Sequence, residues 1–261
     1  MNLDLTGKFA LVGGSTQGIG KAAATELARL GATVTLIARN KEELTKVAAG
    51  LPAEKGQKHG FLVADYGDIQ GLQKGITELV NDQTFHILVN NTGGPAGGPA
   101  EKAKLEEFTD TFQKHLLVNH VLMQAVVPGM KAAQYGRIIN VISTSVKQPI
   151  RGLGVSNTIR AAVGNWSKTL SAELAPFGIT VNNVLPGATM TQRLSSLLEA
   201  KAAKTGTPYE VLEKEMLHEI PAGRFAHPEE IANAIAFLAS PAAAYINGIN
   251  VPVDGGRTGN L

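Results

Sequence analysis

The sequence predicts an α/β chain folded as one doubly wound domain over residues 1–261, with a mostly parallel sheet and helices on both faces. Three observations predict it. Short, continuous apolar runs recur along the chain, helix-period patterns fill the gaps between them, and a glycine-rich loop joins the first run to the first helix. A length of 261 residues suits one large domain and is ample for a buried core, and no low-complexity linker, charge block or internal repeat divides it.

The runs, rich in Val, Ile and Leu, fall at 9–12, 33–38, 61–64, 86–90, 137–142, 179–185 and 249–253. Their hydrophobicity is continuous rather than alternating, which predicts strands buried on both faces. Between the first two, Ile19, Ala23, Leu27 and Leu30 share one helical face and Gly31 follows as a stop, giving a β-α-β unit. Trp166 falls in a helical pattern with Ala162, Leu170 and Leu174, the pattern of core or subunit packing. Residues 191–221 break the alternation with two short amphipathic patterns, Leu194, Leu197 and Leu198, then Val211, Leu212, Met216 and Leu217, around a turn at 205–208. An insertion after a strand's carboxyl end is placed to be a helical lid over a substrate crevice, and equally to be a packing or subunit-contact element.

Composition excludes several classes of function. The chain has no cysteine, which removes disulfides, thiolate catalysis and Cys-ligated metals. Lys plus Arg (24) against Asp plus Glu (22) leaves +2, too balanced for a protein that binds nucleic-acid backbones. No run reaches eighteen apolar residues and the first residues lack a basic leader, so neither a membrane span nor a secretory signal is expected and the location expected is cytoplasmic. His59, His86, His115, His218 and His227 show no metal-helix spacing, so no catalytic metal is expected.

The loop Gly13, Gly14, Ser15, Thr16, Gln17, Gly18, Ile19, Gly20 opens the first helix directly after the first strand, where a dinucleotide pyrophosphate would meet a close backbone and a helix N-terminus. The alternative is a tight turn with small residues for helix packing. No Gly-Lys-Ser/Thr follows, which rules out a P-loop. An NAD site would place a carboxylate at the end of the second strand. Here Ala38 is followed by Arg39 and Asn40, and a guanidinium able to grip a 2′-phosphate favours NADP(H) over NAD(H), unless Arg39 is an ordinary solvated charge.

Taken together, Gly14, Gly18 and Gly20, Asn90-Asn91-Thr92-Gly93, Asn119, Ser143, Pro186-Gly187 and Thr191 are similar to the short-chain dehydrogenase/reductase family. Gly223-Arg224-Phe225, Pro228 to Ala232, Phe237 to Ser240 and Val253-Asp254-Gly255-Gly256 resemble its 3-oxoacyl-acyl-carrier-protein reductase branch, and the likeness spans essentially the whole chain. The resemblance implies a seven-stranded Rossmann-type fold and a homo-oligomer, tetramer or dimer. It implies Asp65 near the adenine, Asn91, Thr92 and Gly93 lining the cofactor, and Thr189 and Thr191 beside the nicotinamide and phosphates. Asn91 is also a candidate structural turn residue, and Asp65 a candidate cap for the helix starting at Asp68; both roles are compatible with cofactor contact.

The family reduces carbonyls with a tyrosine acid, a lysine one helical turn on, a serine on the substrate oxygen and an asparagine supporting a relay water. Ser143 and Asn119 match two of the four, whereas the tyrosine position holds Ser156 and the lysine position Arg160. The four tyrosines, Tyr66, Tyr135, Tyr209 and Tyr245, are followed four residues on by Gln70, Ile139, Glu213 and Ile249, so no other register restores the pair. An aliphatic hydroxyl is a far weaker acid than a phenol, and a guanidinium holds its proton while still reaching a ribose. Three readings follow: an NADP-dependent oxidoreductase on a carbonyl or alcohol, with water, Lys147 or His120 delivering the proton; an NADP-binding sensor or partner subunit without turnover; or non-redox chemistry with a vestigial cofactor. For Lys147 and His120 the solvated or structural side chain is the default reading. Retention of Ser143, Asn119 and a cation at 160 favours the first.

Overall fold

Each of the seven apolar runs becomes a strand in the computed structural model, which describes residues 1–260. The order is β1 (Phe9–Gly13), α1 (Gly18–Arg29), β2 (Thr33–Ala38), α2 (Lys41–Ala49), β3 (Gly60–Val63), α3 (Ile69–Asp82) and β4 (Ile87–Asn90). Then come α4 (Leu105–Phe112), a π-helical turn (Gln113–Leu117), α5 (Val118–Ala132), β5 (Gly136–Val141), α6 (Gly154–Leu174) and β6 (Ile179–Pro186). The chain continues through α7 (Gln192–Thr205), α8 (Tyr209–His218), α9 (Pro228–Ala239) and β7 (Asn250–Val253). The two amphipathic patterns of the 191–221 segment are α7 and α8, parted at Gly206, whose φ of +70° ends α7 in the left-handed region.

Among the described residues the strands form one sheet in the order β3-β2-β1-β4-β5-β6-β7. Every neighbouring pair is parallel, where the sequence led us to expect a mostly parallel sheet. Alternate side chains feed two cores. Ala10 and Val12 of β1 pack with Ala23 and Leu27 of α1 and Ile231 and Ile235 of α9, while Leu11 faces Leu72 and Ile76 of α3 and Leu122 and Val126 of α5. That two-sided burial is why the strands read as continuous apolar runs. Strand order reverses between β1 and β4, so their carboxyl ends diverge into a crevice where such sheets bind ligands.

The α6-facing side of the sheet carries a buried polar line. Asn90 Nδ2 donates to Asn140 Oδ1 (2.8 Å), Asn140 Nδ2 to Asn183 Oδ1 (3.1 Å) and Asn183 Nδ2 to Asn250 Oδ1 (2.8 Å). These residues stand directly opposite one another in β4 to β7, and Asn140 Nδ2 also donates to Ser167 Oγ of α6 at 2.9 Å. Asn140→Val strips partners from three buried groups at once. The expected cost is about 3 kcal/mol or more in urea unfolding, and a loss under about 1 kcal/mol would mean the neighbours re-pair.

Candidate active site

The glycine loop lies at the reversal point. Gly14 and Gly18 have φ of +56° and +53°, and α1 packs so closely on the loop that a Cβ at Gly20 would stand 2.1 Å from the Gly14 carbonyl oxygen. Asn91, just past β4, donates from Nδ2 to the carbonyls of Gly13 (3.3 Å) and Gly14 (3.2 Å), so it is the structural brace of the loop. Ser15 is fully buried and donates to the Ile37 carbonyl at 3.3 Å, tying the loop to β2. At the N-terminus of α1, Gln17 forms no side-chain cap, which leaves first-turn N–H groups for an anion. Residues and cradle therefore fit a dinucleotide pyrophosphate.

The outer end of the crevice is more open. Thr16 is half-buried, Arg39 is exposed just past β2, and Asn40 caps α2 by accepting the Glu43 N–H at 3.1 Å. Asp65 is exposed at the end of β3 and accepts the Gly67 N–H at 2.8 Å. The helix-cap role considered for Asp65 is corrected. Asp68 caps α3, accepting the Gly71 N–H at 2.9 Å, because a turn closed by Asp68 N–H to the Asp65 carbonyl holds Asp65 one turn too early.

A cavity of about 330 Å³ runs from Gly14, Gln17, Gly18 and Ile19 past Asn91, Thr92, Gly93 and Gly94 to an apolar end at Ile150, Leu153, Leu194, Leu197 and Met216. Pro186, Gly187, Thr189 and Thr191 form another wall. Gly187 lacks a side chain where β6 leaves the sheet, and a Cβ there would meet Asp254 Cα at 2.7 Å. Thr191 caps α7, accepting the Leu194 N–H at 3.4 Å and donating to the Thr189 carbonyl at 3.2 Å.

Ser143, Ser156 and Arg160 converge on this cavity. Ser143, at the end of β5, accepts the Ser145 N–H at 3.1 Å. Ser156 Oγ, on α6, accepts from Arg160 Nε at 3.1 Å, and Arg160 Nη1 reaches the carbonyls of Val141 (3.5 Å) and Ile142. Burial first, and the neighbouring Arg193 guanidinium second, pull Arg160 down to about 10, so it remains a cation at neutral pH. Asn119 is buried on α5, and it, Lys147 and His120 lie off the cavity wall. His120 meets the Trp166 ring edge-on, with centroids 6.3 Å apart. Neither proton donor suggested by sequence proximity is therefore brought to the cavity.

Sequence reasoning missed three residues. His115, buried in the π-helical turn against Gly93, is held to about 3 by burial and by the Arg160 charge, so it is neutral. Arg193 and Arg257 both line the cavity, Arg193 donating from Nη2 to the Pro95 carbonyl and Arg257 pairing with Glu219. Among the described lining residues there is no Tyr, His, Lys, Asp or Glu.

Residues 14–258 match the family model for enoyl-(acyl carrier protein) reductase. The 3-oxoacyl-acyl-carrier-protein reductase of Vibrio cholerae serotype O1 is 35% identical over 254 residues, covering 97% of this chain and 98% of that protein. The NADPH-dependent reductase BacG of Bacillus subtilis is 31% identical over 251 residues, covering 95% of this chain and 97% of that protein. The crystal structure of L-sorbose reductase from Gluconobacter frateurii with NADPH and L-sorbose superposes with a TM-score of 0.92 at 31% identity, covering 100% of both chains.

Proposed function

The chain belongs to the short-chain dehydrogenase/reductase family, and on that premise we propose that it is an NADP(H)-dependent oxidoreductase acting on a carbonyl or alcohol, with Ser156 and Arg160 in place of the family's tyrosine and lysine. The observation that carries this reading is the one cavity in which the uncapped N-terminus of α1 and the two serine hydroxyls meet. NADP(H) is favoured by Arg39 past β2, where no carboxylate stands, and by the NADPH-dependent relatives. Asp65, Thr189 and Thr191 are given the cofactor-side roles that the resemblance implies.

Bound NADPH supplies the hydride. Ser143 and Ser156 each accept an N–H, from Ser145 and Arg160 respectively, which leaves their own O–H groups free to donate to a substrate oxygen. Two free hydroxyls beside a guanidinium stabilise negative charge developing on that oxygen. Arg160 holds its proton, so the proton that completes an alcohol comes from water. Leu194, Leu197 and Met216 of α7 and α8 exclude bulk solvent from the apolar end as a lid. The exposed Leu105, Phe112 and Leu117 support the homo-oligomer expected from the resemblance.

The test is NADPH oxidation with a panel of ketones, aldehydes and oxoacyl thioesters. Tight NADPH binding without turnover on any of them would replace this reading with the sensor or partner-subunit one, which the absence of a near-neutral acid in the cavity favours. With turnover, kcat is expected to be flat from about pH 5 to 9, because no lining group titrates there. It then falls as pH rises through about 10, where the Arg160 cation, present below that value, is lost above it. A kcat that follows an ionisation near pH 7 would point to a proton donor outside this set.

A further inference from the structure

Two guanidiniums flank one glycine in the cavity. A Cβ at Gly94 would stand 3.2 Å from Arg160 Nη2 and 3.4 Å from Arg193 Nη2. Neither arginine has a carboxylate partner among the described residues. Arg160 is bonded through Nε and Nη1 to Ser156 and two carbonyls, and Arg193 through Nη2 to the Pro95 carbonyl. Arg160 Nη2 and Arg193 Nε and Nη1 are left without a partner in that set. Arg257, in the same cavity, is already neutralised by Glu219. Arg137 also lacks a carboxylate, but its donors meet the carbonyls of Gly136, Gly178 and Ser240 and it lies over the Tyr135 ring, away from any cavity wall.

Arg193 is also at the wrong end of its helix. It is the second residue of α7, where the positive end of the dipole disfavours a cation, and although exposed itself it stands beside the like charge of the partly buried Arg160. The dipole at Arg193, the burial of Arg160 and the repulsion between them all oppose the pair, and a bound anion offsets all three. The cofactor phosphates are provided for at the uncapped N-terminus of α1. The arginines are next to the other end, since a Cβ at Gly97, three residues on from Gly94, would touch Leu153 (3.6 Å) and Leu197 (3.8 Å) of the apolar end.

We infer that Arg193 and Arg160 hold the carboxylate of an oxo-acid substrate, its carbonyl at Ser143 and Ser156 and its apolar tail on Leu153, Leu197 and Met216. The inference rests on the oxidoreductase reading for its chemistry but not for its binding. Reduction places a hydride on the carbonyl carbon and a solvent proton on its oxygen, converts one NADPH to NADP+, and leaves the carboxylate unchanged. The planar guanidinium edge of Arg193 suits a carboxylate, whose two oxygens accept parallel N–H bonds.

The experiment compares short α- and β-oxo acids with their methyl esters on the full chain. NADPH oxidation is one readout, and calorimetric titration of the acids into the NADP+-loaded protein is the other. The acids are expected to exceed the esters in kcat/KM by about 100-fold. In Arg193→Gln that ratio is expected to fall at least about tenfold through KM of the acid, with partial recovery in Arg193→Lys. Equal rates on acid and ester, or an Arg193→Gln that weakens NADPH instead of the acid, would overturn the carboxylate site and leave the oxidoreductase reading standing. Acid binding that depends on Arg193 without NADPH oxidation would do the reverse.

Discussion

Gly20→Ala is expected to weaken NADPH binding by about 100-fold or more. The added Cβ would stand 2.1 Å from the Gly14 carbonyl oxygen and 2.7 Å from Asn91 Nδ2, and the first of these is backbone that cannot rotate away. Relief requires α1 to move off β1, which withdraws the first-turn N–H groups from the loop they complete. The lost packing also lowers stability, so the measurement pairs NADPH fluorescence titration with thermal unfolding. Gly60→Ala is the control, because a Cβ there meets nothing within 4 Å. If Gly20→Ala binds NADPH within about threefold of the parent, the account of the cradle fails.

The second large effect is a gain. Ser156→Tyr combined with Arg160→Lys is expected to raise carbonyl reduction by about 10²- to 10⁴-fold, the range of general acid catalysis. On α6 the two positions are one turn apart and already in contact at 3.1 Å, so a phenol and an ammonium introduced there fall within coupling distance. A nearby cation lowers the phenol's proton affinity toward neutrality, which neither a serine nor an arginine can match. The double variant is expected to exceed either single change, because Ser156→Tyr alone leaves Arg160 anchored on the Ile142 carbonyl. It would also bring a titration into the pH profile that the parent lacks. A double variant that folds and binds NADPH but gains no activity would show that the cavity has diverged beyond these two positions.

Much of this arrangement was legible in the sequence. The strands were, because burial on both faces writes Val, Ile and Leu without alternation, and the loop of Gly14, Gly18 and Gly20 announced the cradle. Ser143, Ser156 and Arg160 were found by counting along a family spacing, and all three line the cavity. Arg193 was not found, since its place beside Gly94 depends on how α7 folds over a loop about a hundred residues earlier in the chain. Its only trace in the sequence is a cation in the first turn of a helix. For His120 and Lys147 the structural reading holds over the proton-donor one: adjacency to Asn119 and to the end of β5 says nothing about which way a side chain turns, and His120 turns to Trp166. The π-helical turn has no residue signature, so the burial of His115 under Gly93 could not be read in advance.

The line of asparagines has a consequence for how the sheet comes together. Three of its four amides donate in the same direction, from β4 toward β7, and the fourth, Asn250, only accepts, so each bond polarises the next. The last acceptor is on the final strand of the sheet, and until β7 docks, Asn183 carries an amide with no acceptor in the core. The four strands from β4 to β7 are therefore tied by a continuous side-chain network as well as by their backbone ladders. Asn90, the first donor, is followed directly by Asn91, the brace of the glycine loop. The last strand of the sheet is in this way connected, through a single backbone step, to the first loop.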